Sequence, residues 1–492
     1  MERRDFIKAI LGSAAALAVW QPETGLMASE DIIVNDLHSQ LNPTHVDGLL
    51  YPSSIEDIKK AILKSAETGE SISITGARHS MGAQQFGTHT NLLDITTMND
   101  ILEFDPDQKI LEVESGARWA QIVGYLVGLQ KDKKQQLGIR QKQSADLLTI
   151  GGSVSANMHG DGLFIPPFAA DIESMVVVNS GGRKVECSRE KNEELFRLVT
   201  GGLGLFGIIY SVRLRLVPRQ KIRKSVSITD TDKLIDEYRK KHKNGALYGS
   251  FQYYTNINSE DYLRKGVLIT YEPVETEQQV PDFKDPVPAD KWLHLRYLAH
   301  ADKEKYFKEI SDLNKATDNK LYWTDTHQLG TYIYNYHKQL DKMLHREEAT
   351  DVTTEVYVPS DKLGEFLNAT RNYFRKNSIE VIFGGIGMIA ENKESYLSYT
   401  RRTYSRISFN IHTPHTSKGI DRSADAFRFL IDQAIKFDGS YYLANHKFAT
   451  PDQFKKSFPD AANFMELKKK YDPHNRFLSD WYRYYKKGFT ES

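Results

Sequence analysis

Gly201-Gly202-Leu203-Gly204-Leu205-Phe206-Gly207 is the stretch that decides the fold. Gly202, Gly204 and Gly207 satisfy the G-x-G-x-x-G spacing of a dinucleotide loop. Such a loop works only between a strand and a helix, because the helix N-terminus then faces the phosphate. Here the order is reversed. The apolar spacing predicts a helix over 192–199 before the glycines and an alternating strand over 208–216 after them. A nicotinamide site of the doubly wound kind is therefore excluded.

Two more glycine segments lie upstream. Thr75-Gly76-Ala77-Arg78-His79-Ser80-Met81-Gly82 follows a strand predicted over 72–74. Glycine there lets backbone N–H groups converge on an anion. On the residues alone, a lone histidine such as His79 is more often structural than functional. The second segment runs Thr149-Ile150-Gly151-Gly152-Ser153-Val154-Ser155-Ala156-Asn157-Met158-His159-Gly160-Asp161-Gly162. Its small residues and hydroxyls permit close approach of a ligand and supply hydrogen bonds. It is too long for a simple surface turn.

Around these segments, short strands and helices alternate without a steady βαβ rhythm. A helix starts near residue 54, capped by Ser53 or Ser54, and another spans about 118–128. Strands are expected at 91–94, 101–104, 110–113, 174–178 and 184–187. The pattern predicts an α+β domain. Composition shifts near Pro218 to a charged, tyrosine-rich stretch, with a linker-like run over 280–288. Strand patterns at 354–358, 379–383 and 405–412 and a helix over 361–374 follow. No internal repeat is visible.

At 492 residues the chain exceeds one ordinary domain. It holds 65 lysines and arginines against 65 aspartates and glutamates, so no net field draws nucleic acid or an anionic membrane. Its single cysteine, Cys187, excludes an intrachain disulfide. The 26 tyrosines and 23 phenylalanines suit either an aromatic core or pockets for a flat ligand. At the N-terminus, Arg3-Arg4-Asp5-Phe6-Ile7-Lys8 precedes an apolar run over 9–20. That run is too short to cross a bilayer as a helix. It fits a twin-arginine signal over 1–28, which implies export to the periplasm or beyond by the twin-arginine machinery. An amphipathic N-terminal helix is the alternative.

The three glycine segments in this order resemble the FAD-binding domain of the vanillyl-alcohol oxidase and p-cresol methylhydroxylase (PCMH-type) superfamily. The resemblance covers about 44–217. It implies a PCMH-type domain, a substrate (cap) domain over 218–440 that lays a sheet over the flavin, and a segment over 441–492 that returns to the first domain. It further implies that FAD is held by Thr75, Gly76, Ala77, Arg78, His79, Ser80, Met81, Gly82, Ser144, Thr149, Gly151, Gly152, Ser153, Ala156, Asn157, His159 and Gly160. Ile208 or Ile209 would meet the adenine through the backbone. Gly76-Ala77-Arg78-His79-Ser80 looks like the loop of alditol oxidases, gulonolactone oxidases and cytokinin dehydrogenases. In those proteins the matching histidine bonds to the flavin, which implies the same for His79.

Tyr441-Tyr442-Leu443-Ala444-Asn445-His446-Lys447 and Tyr471-Asp472-Pro473-His474-Asn475-Arg476-Phe477 are similar to the last segment of sugar oxidases such as decaprenylphosphoryl-ribose oxidase. There a tyrosine matching Tyr442 touches the flavin. The chain departs from that enzyme in having His79 where it has arginine, and Asn445 where it has lysine. Lys447 is then either a replacement or a surface lysine. Substrate-side candidates are Glu355, Tyr357, Asn410, His412, Asn445 and Lys447. Asn410 and His412 share one strand face because side chains alternate, and His412 is either a general base or a structural histidine. A metal at His412 and His415 is not expected, since no carboxylate lies near them in sequence. The expected reaction is FAD-dependent oxidation of a CH–OH group in a sugar, polyol or aldonolactone, with oxygen or another electron acceptor. The alternatives are amine oxidation of the cytokinin-dehydrogenase kind, with Glu355 holding the amine, or a flavin-binding protein without turnover.

Overall fold

A computed structural model describes residues 32–489 except Thr331, Tyr332 and Tyr334. The twin-arginine expectation falls on residues outside that range. The helix Ile55–Thr68 begins where the Ser54 hydroxyl accepts the Asp57 N–H, and it stops at Gly69, whose φ of 76° suits glycine. Its buried Ile58 and Ile62 pack with Ile72, Leu93, Val178 and Ile208. This small core joins two sheets. One is three-stranded and parallel, in the order Gly48–Leu50, Asn91–Asp94, Ile72–Thr75. The other is five-stranded and antiparallel, with Ile208–Arg215 at its centre between Ile172–Val178 and Ile110–Glu114. The helix Glu193–Val199 precedes the third glycine segment and the strand Ile208–Arg215 follows it, the reversed order read from the sequence.

The second segment contains a helix that the sequence reading did not place. Thr149 caps a six-residue helix, Ile150–Ser155. The glycines there serve packing: a Cβ on Gly151 would lie 2.9 Å from the Ser115 side chain. The helix after residue 358 also begins later than expected, at Leu363, behind a 3-10 turn over Ser360–Lys362.

The rest of the chain builds an eight-stranded antiparallel sheet. Its centre runs Tyr248–Tyr253, Val381–Ile389, Tyr404–Pro414, Ala349–Val358, and Ser440–Tyr441 closes one edge. The architecture is α+β throughout. Alternation divides the sheet into two faces. Val352, Val356, Ile407, Phe409 and Ile411 turn to the helices Leu363–Asn377 and Ser417–Lys436. Each such fully buried apolar side chain contributes roughly 1.5–3 kcal/mol. The other face carries the pairs Asp351 with His412, Thr353 with Asn410, Glu355 with Ser408 and Tyr357 with Arg406. It turns to the first domain.

Beyond Tyr441 the chain crosses back. Met81 N–H donates to the Ala444 carbonyl (3.2 Å), and the Gln84 side chain donates to the Leu443 and Asn445 carbonyls at 2.6 and 2.7 Å. Further on, Ile72 bonds the backbone of Arg476 and Leu478. Among the described residues, no helix is long and apolar enough to cross a membrane.

Candidate functional site

A cleft lies where the three glycine segments meet the returning chain and the polar sheet face. The first segment leaves the parallel strand Ile72–Thr75 and lines the cleft with Gly76 to Met81. Arg78 sits at φ 56°, an uncommon conformation outside glycine. Its guanidinium reaches Asp94 at 3.3 Å and its carbonyl accepts the Leu37 N–H at 2.9 Å, so the turn is held from both sides. A Cβ on Gly76 would collide with the Thr149 hydroxyl, which fixes the close approach of the first two segments. Gly151, Gly152, Ser153 and Ala156 line the cleft from the second segment, and Leu203, Gly204, Gly207 and Ile209 from the third. Gly207, at φ 147°, has no room for a Cβ against Val177.

Buried polar atoms test whether a ligand fits. Gln85 Oε1 and Asn445 Nδ2 belong to cleft-lining residues and have no hydrogen-bond partner among the described residues. A buried polar atom left unmet costs roughly 1–3 kcal/mol, so the pair matches a polar ligand that supplies a donor and an acceptor. Phosphates would meet the glycine turns, and a flat ring system would meet Tyr442, which also lines the cleft.

His79 lies in the cleft wall with its Nδ1 2.7 Å from Nε2 of His38. Burial pushes His79 well below the usual histidine range, and His38 and Arg118 add to this. Burial also brings His38 down to about 4, against the pull of Asp36. Both rings are neutral at pH 7, the form in which an imidazole nitrogen is nucleophilic. His38 had no signal in the sequence. It stands in a turn in which Asp36 Oδ1 accepts the N–H groups of His38 and Ser39 at 3.0 and 2.6 Å.

On the sheet side, Thr353 lines the cleft and donates to Asn410 Oδ1 at 2.6 Å. Glu355 and Tyr357 sit further along the same face, fully buried. Glu355 Oε1 accepts from His159 Nε2 at 2.6 Å and from the Tyr357 hydroxyl, and Oε2 is 3.6 Å from Arg406. Burial raises the Glu355 carboxyl, but His159 and Arg406 overcome this and hold it down at about 2. His159, Tyr357, Tyr399 and Tyr442 ring this carboxylate with centroids 4.8–6.2 Å apart. At the other end of the face, His300, Asp351 and His412 bring ligand-type atoms within 4.8 Å of one another. The carboxylate that the sequence did not place near His412 is Asp351, on the neighbouring strand.

Several expected cofactor contacts stand behind the cleft rather than on its wall. Asn157 accepts the Ala169 N–H at 3.0 Å, Gly160 N–H donates to Gln141 at 3.1 Å, and Gly82 N–H donates to Gln84 at 2.8 Å. Ile208 is core, whereas its neighbour Ile209 lines the cleft. Ser144 and Thr149 line it, as does Gln143, which the sequence did not single out. Lys447 is not among the lining residues. Burial lowers its ammonium and Asp480 pulls the other way.

Residues 46–188 match the FAD binding domain family, and residues 346–485 match the D-arabinono-1,4-lactone oxidase family. The chain is 25% identical over 302 residues to the mitochondrial L-galactono-1,4-lactone dehydrogenase of Arabidopsis thaliana, covering 61% of this chain and 46% of that one. It is 22% identical over 185 residues to the L-gulonolactone oxidase of Bos taurus, covering 38% and 40%. An uncharacterized oxidoreductase of a fasciation locus in Rhodococcoides fascians is 27% identical over 456 residues, 88% of this chain and 92% of that one. The chain spans less than half the length of the lactone dehydrogenases it matches.

Proposed function

We propose that this chain, an FAD-binding member of the vanillyl-alcohol oxidase and p-cresol methylhydroxylase superfamily, oxidises a CH–OH group of a sugar-derived lactone. The carrying observation is the cleft itself. Three glycine segments line it, and the lactone-oxidase-like part meets them through Thr353 of the polar sheet face and Tyr442, Ala444 and Asn445 of the returning chain. Bound FAD supplies the two-electron acceptor for such a reaction. Gly76, Arg78, Gly151 and Gly152 would hold it along the pyrophosphate, Tyr442 and Asn445 would meet the ring end, and His79 would bond to it covalently.

The protein's own groups then position the substrate. Thr353 and Asn410 offer hydroxyl and amide groups to a polyhydroxy ring, and the returning chain adds Ala444 and Asn445 to the cleft lining. Glu355 is already neutralised by His159 and Arg406, which argues against its holding an amine and for a neutral substrate. The Arg3-Arg4 leader carries a further proposal, twin-arginine export of the folded protein. A fusion of residues 1–28 to a folded reporter tests it, with cytoplasmic retention as the contrary result.

The reaction is tested by anaerobic mixing of the purified protein with L-galactono-, L-gulono- and D-arabinono-1,4-lactone, and with N6-isopentenyladenine. At least one lactone should bleach the flavin. Bleaching by the adenine alone would overturn the reading. Readmitting oxygen then separates an oxidase, whose colour returns at once, from a dehydrogenase.

A further inference from the structure

Asp351 is buried at the end of the polar sheet face, and its two oxygens are treated differently. Oδ2 accepts from His300 Nε2 and from the Tyr336 hydroxyl, both at 3.2 Å. Among the described residues, Oδ1 is buried without a hydrogen bond and faces His412 Nδ1 at 3.9 Å, itself a buried atom without one. The two histidine rings stand edge to face, 5.3 Å apart. His300 arrives from the helix Ala289–Ala301, and Tyr336 from the helix Tyr336–Met343. His337 follows on that helix, and Arg346 leads into the strand Ala349–Val358. The His412 N–H is tied to the Glu380 carbonyl at 3.0 Å.

A cation or a proton relay would explain three such groups, and Arg346 decides between them. Arg346 Nη1 lies 2.8 Å from His300 Nδ1. A guanidinium only donates, so His300 Nδ1 accepts and its Nε2 carries the proton to Asp351. A nitrogen that carries a proton is no metal ligand. With His300 and Tyr336 donating to one oxygen, the other is left for the His412 Nδ1–H. Such a bond would fix the tautomer in which Nε2 is bare. His412 is the part-exposed member, 13% accessible against 1–3% for its partners. It sits one step along the face from Asn410 and from Thr353, which lines the cleft.

We infer that Arg346, His300 and Asp351 form a relay that holds His412 Nε2 as the acceptor of the substrate hydroxyl proton. The inference rests on the proposed alcohol oxidation. As the O–H bond breaks toward Nε2, the C–H hydrogen leaves with its electron pair to the bound flavin, and a C=O bond remains. Asp351 and His300 are positioning residues, and His412 is the group that meets substrate. Burial alone would raise the Asp351 carboxyl, but His300 and His412 keep it well below the carboxylate range, so it stays ionised beside the imidazolium that forms. The 3.9 Å spacing suits a bond that tightens when substrate is in place.

The test uses full-length holoprotein with Asp351→Asn, which keeps the volume and removes the charge. In anaerobic stopped-flow mixing with L-galactono-1,4-lactone, the limiting rate of flavin bleaching should fall by roughly 10²–10⁴-fold, the range for a lost or mis-set general base. The half-saturating concentration and the flavin content should hold, and Asp351→Glu should recover part of the rate. A second measurement does not depend on the substrate. In protein carrying 15N-histidine, the ring signal lost in His412→Gln should show its proton on Nδ1 in the wild type and on Nε2 in Asp351→Asn. A wild-type proton on Nε2, an unchanged rate in Asp351→Asn, or a stoichiometric metal lost in His412→Gln would each overturn the relay. If no lactone bleaches the wild-type flavin, the proposed reaction fails while the nitrogen spectrum still decides the relay.

Discussion

Two carboxylates four residues apart on one strand, Asp351 and Glu355, have nearly the same surroundings and one telling difference. Each has an oxygen that accepts from a histidine and a tyrosine: His300 and Tyr336 for Asp351, His159 and Tyr357 for Glu355. Behind each histidine stands an arginine at Nδ1, Arg346 at 2.8 Å and Arg406 at 3.4 Å. The second oxygen differs. Glu355 Oε2 meets Arg406, which also pairs with Asp161 at 2.6 Å, and the charge is closed on both sides. Among the described residues, Asp351 Oδ1 meets only His412, which keeps some exposure. A fully satisfied buried network rigidifies a structure. An unsatisfied one, next to a cleft, is where chemistry is expected. The Glu355 end clasps the two halves of the molecule, and the Asp351 end is the one proposed to take part in the reaction.

The comparison breaks most visibly in turnover. Asp351→Asn should lose at least about 10²-fold in flavin reduction, whereas Glu355→Gln should keep turnover and lose stability. Removing one partner of a buried pair costs roughly 3–5 kcal/mol, so Glu355→Gln should lower the denaturation midpoint sharply in urea titration. Equal effects of both substitutions on rate and stability would erase the distinction. The clasp also has a pH signature. The Glu355 carboxyl is held at about 2 when folded and lies at about 4.3 when unfolded. Its contribution is therefore fully present above the unfolded value and lost as pH falls toward the folded one. The stability gap between wild type and Glu355→Gln should be constant above about pH 5 and close on acidification.

Smaller effects refine the picture. Gly387 pairs with Arg406 across the sheet, and a Cβ there would lie 2.7 Å from its Nη2. Gly387→Ala should push Arg406 off Glu355 at a cost of about 1–3 kcal/mol, seen as a lower melting temperature with turnover kept. Cys187 should do nothing. It is buried and burial pushes its thiol up to about 12. Alkylation by iodoacetamide at pH 8 should be negligible until the protein is unfolded.

Much of the fold was legible because its signals are local. Gly207 must be glycine for its own φ and its own neighbour, so the reversed G-x-G-x-x-G could be read in place. The alternation of 405–412 placed Asn410 and His412 on one face. Many of the residues expected at a cofactor fall on the cleft wall, whereas others such as Asn157 and Gly82 lie behind it. What the sequence did not carry were meetings across the fold. His38 reaches His79 over 41 positions and His300 reaches Asp351 over 51. No spacing rule links such pairs, since strand register and the return of the chain create them. The short helix after Thr149 was missed because glycine-rich composition outweighs a good N-cap in any propensity argument, whereas packing on Ser115 and Ile95 decides it.

The central claim is that the cleft holds FAD, with His79 as its covalent anchor. Denaturing the purified protein in acid and comparing the visible flavin spectrum of pellet and supernatant tests it directly. The account predicts about one flavin per chain that stays with the polypeptide and moves to the supernatant in His79→Ala. Yellow supernatant from the wild type would contradict the covalent bond, and a colourless protein that takes up no added FAD would contradict the site.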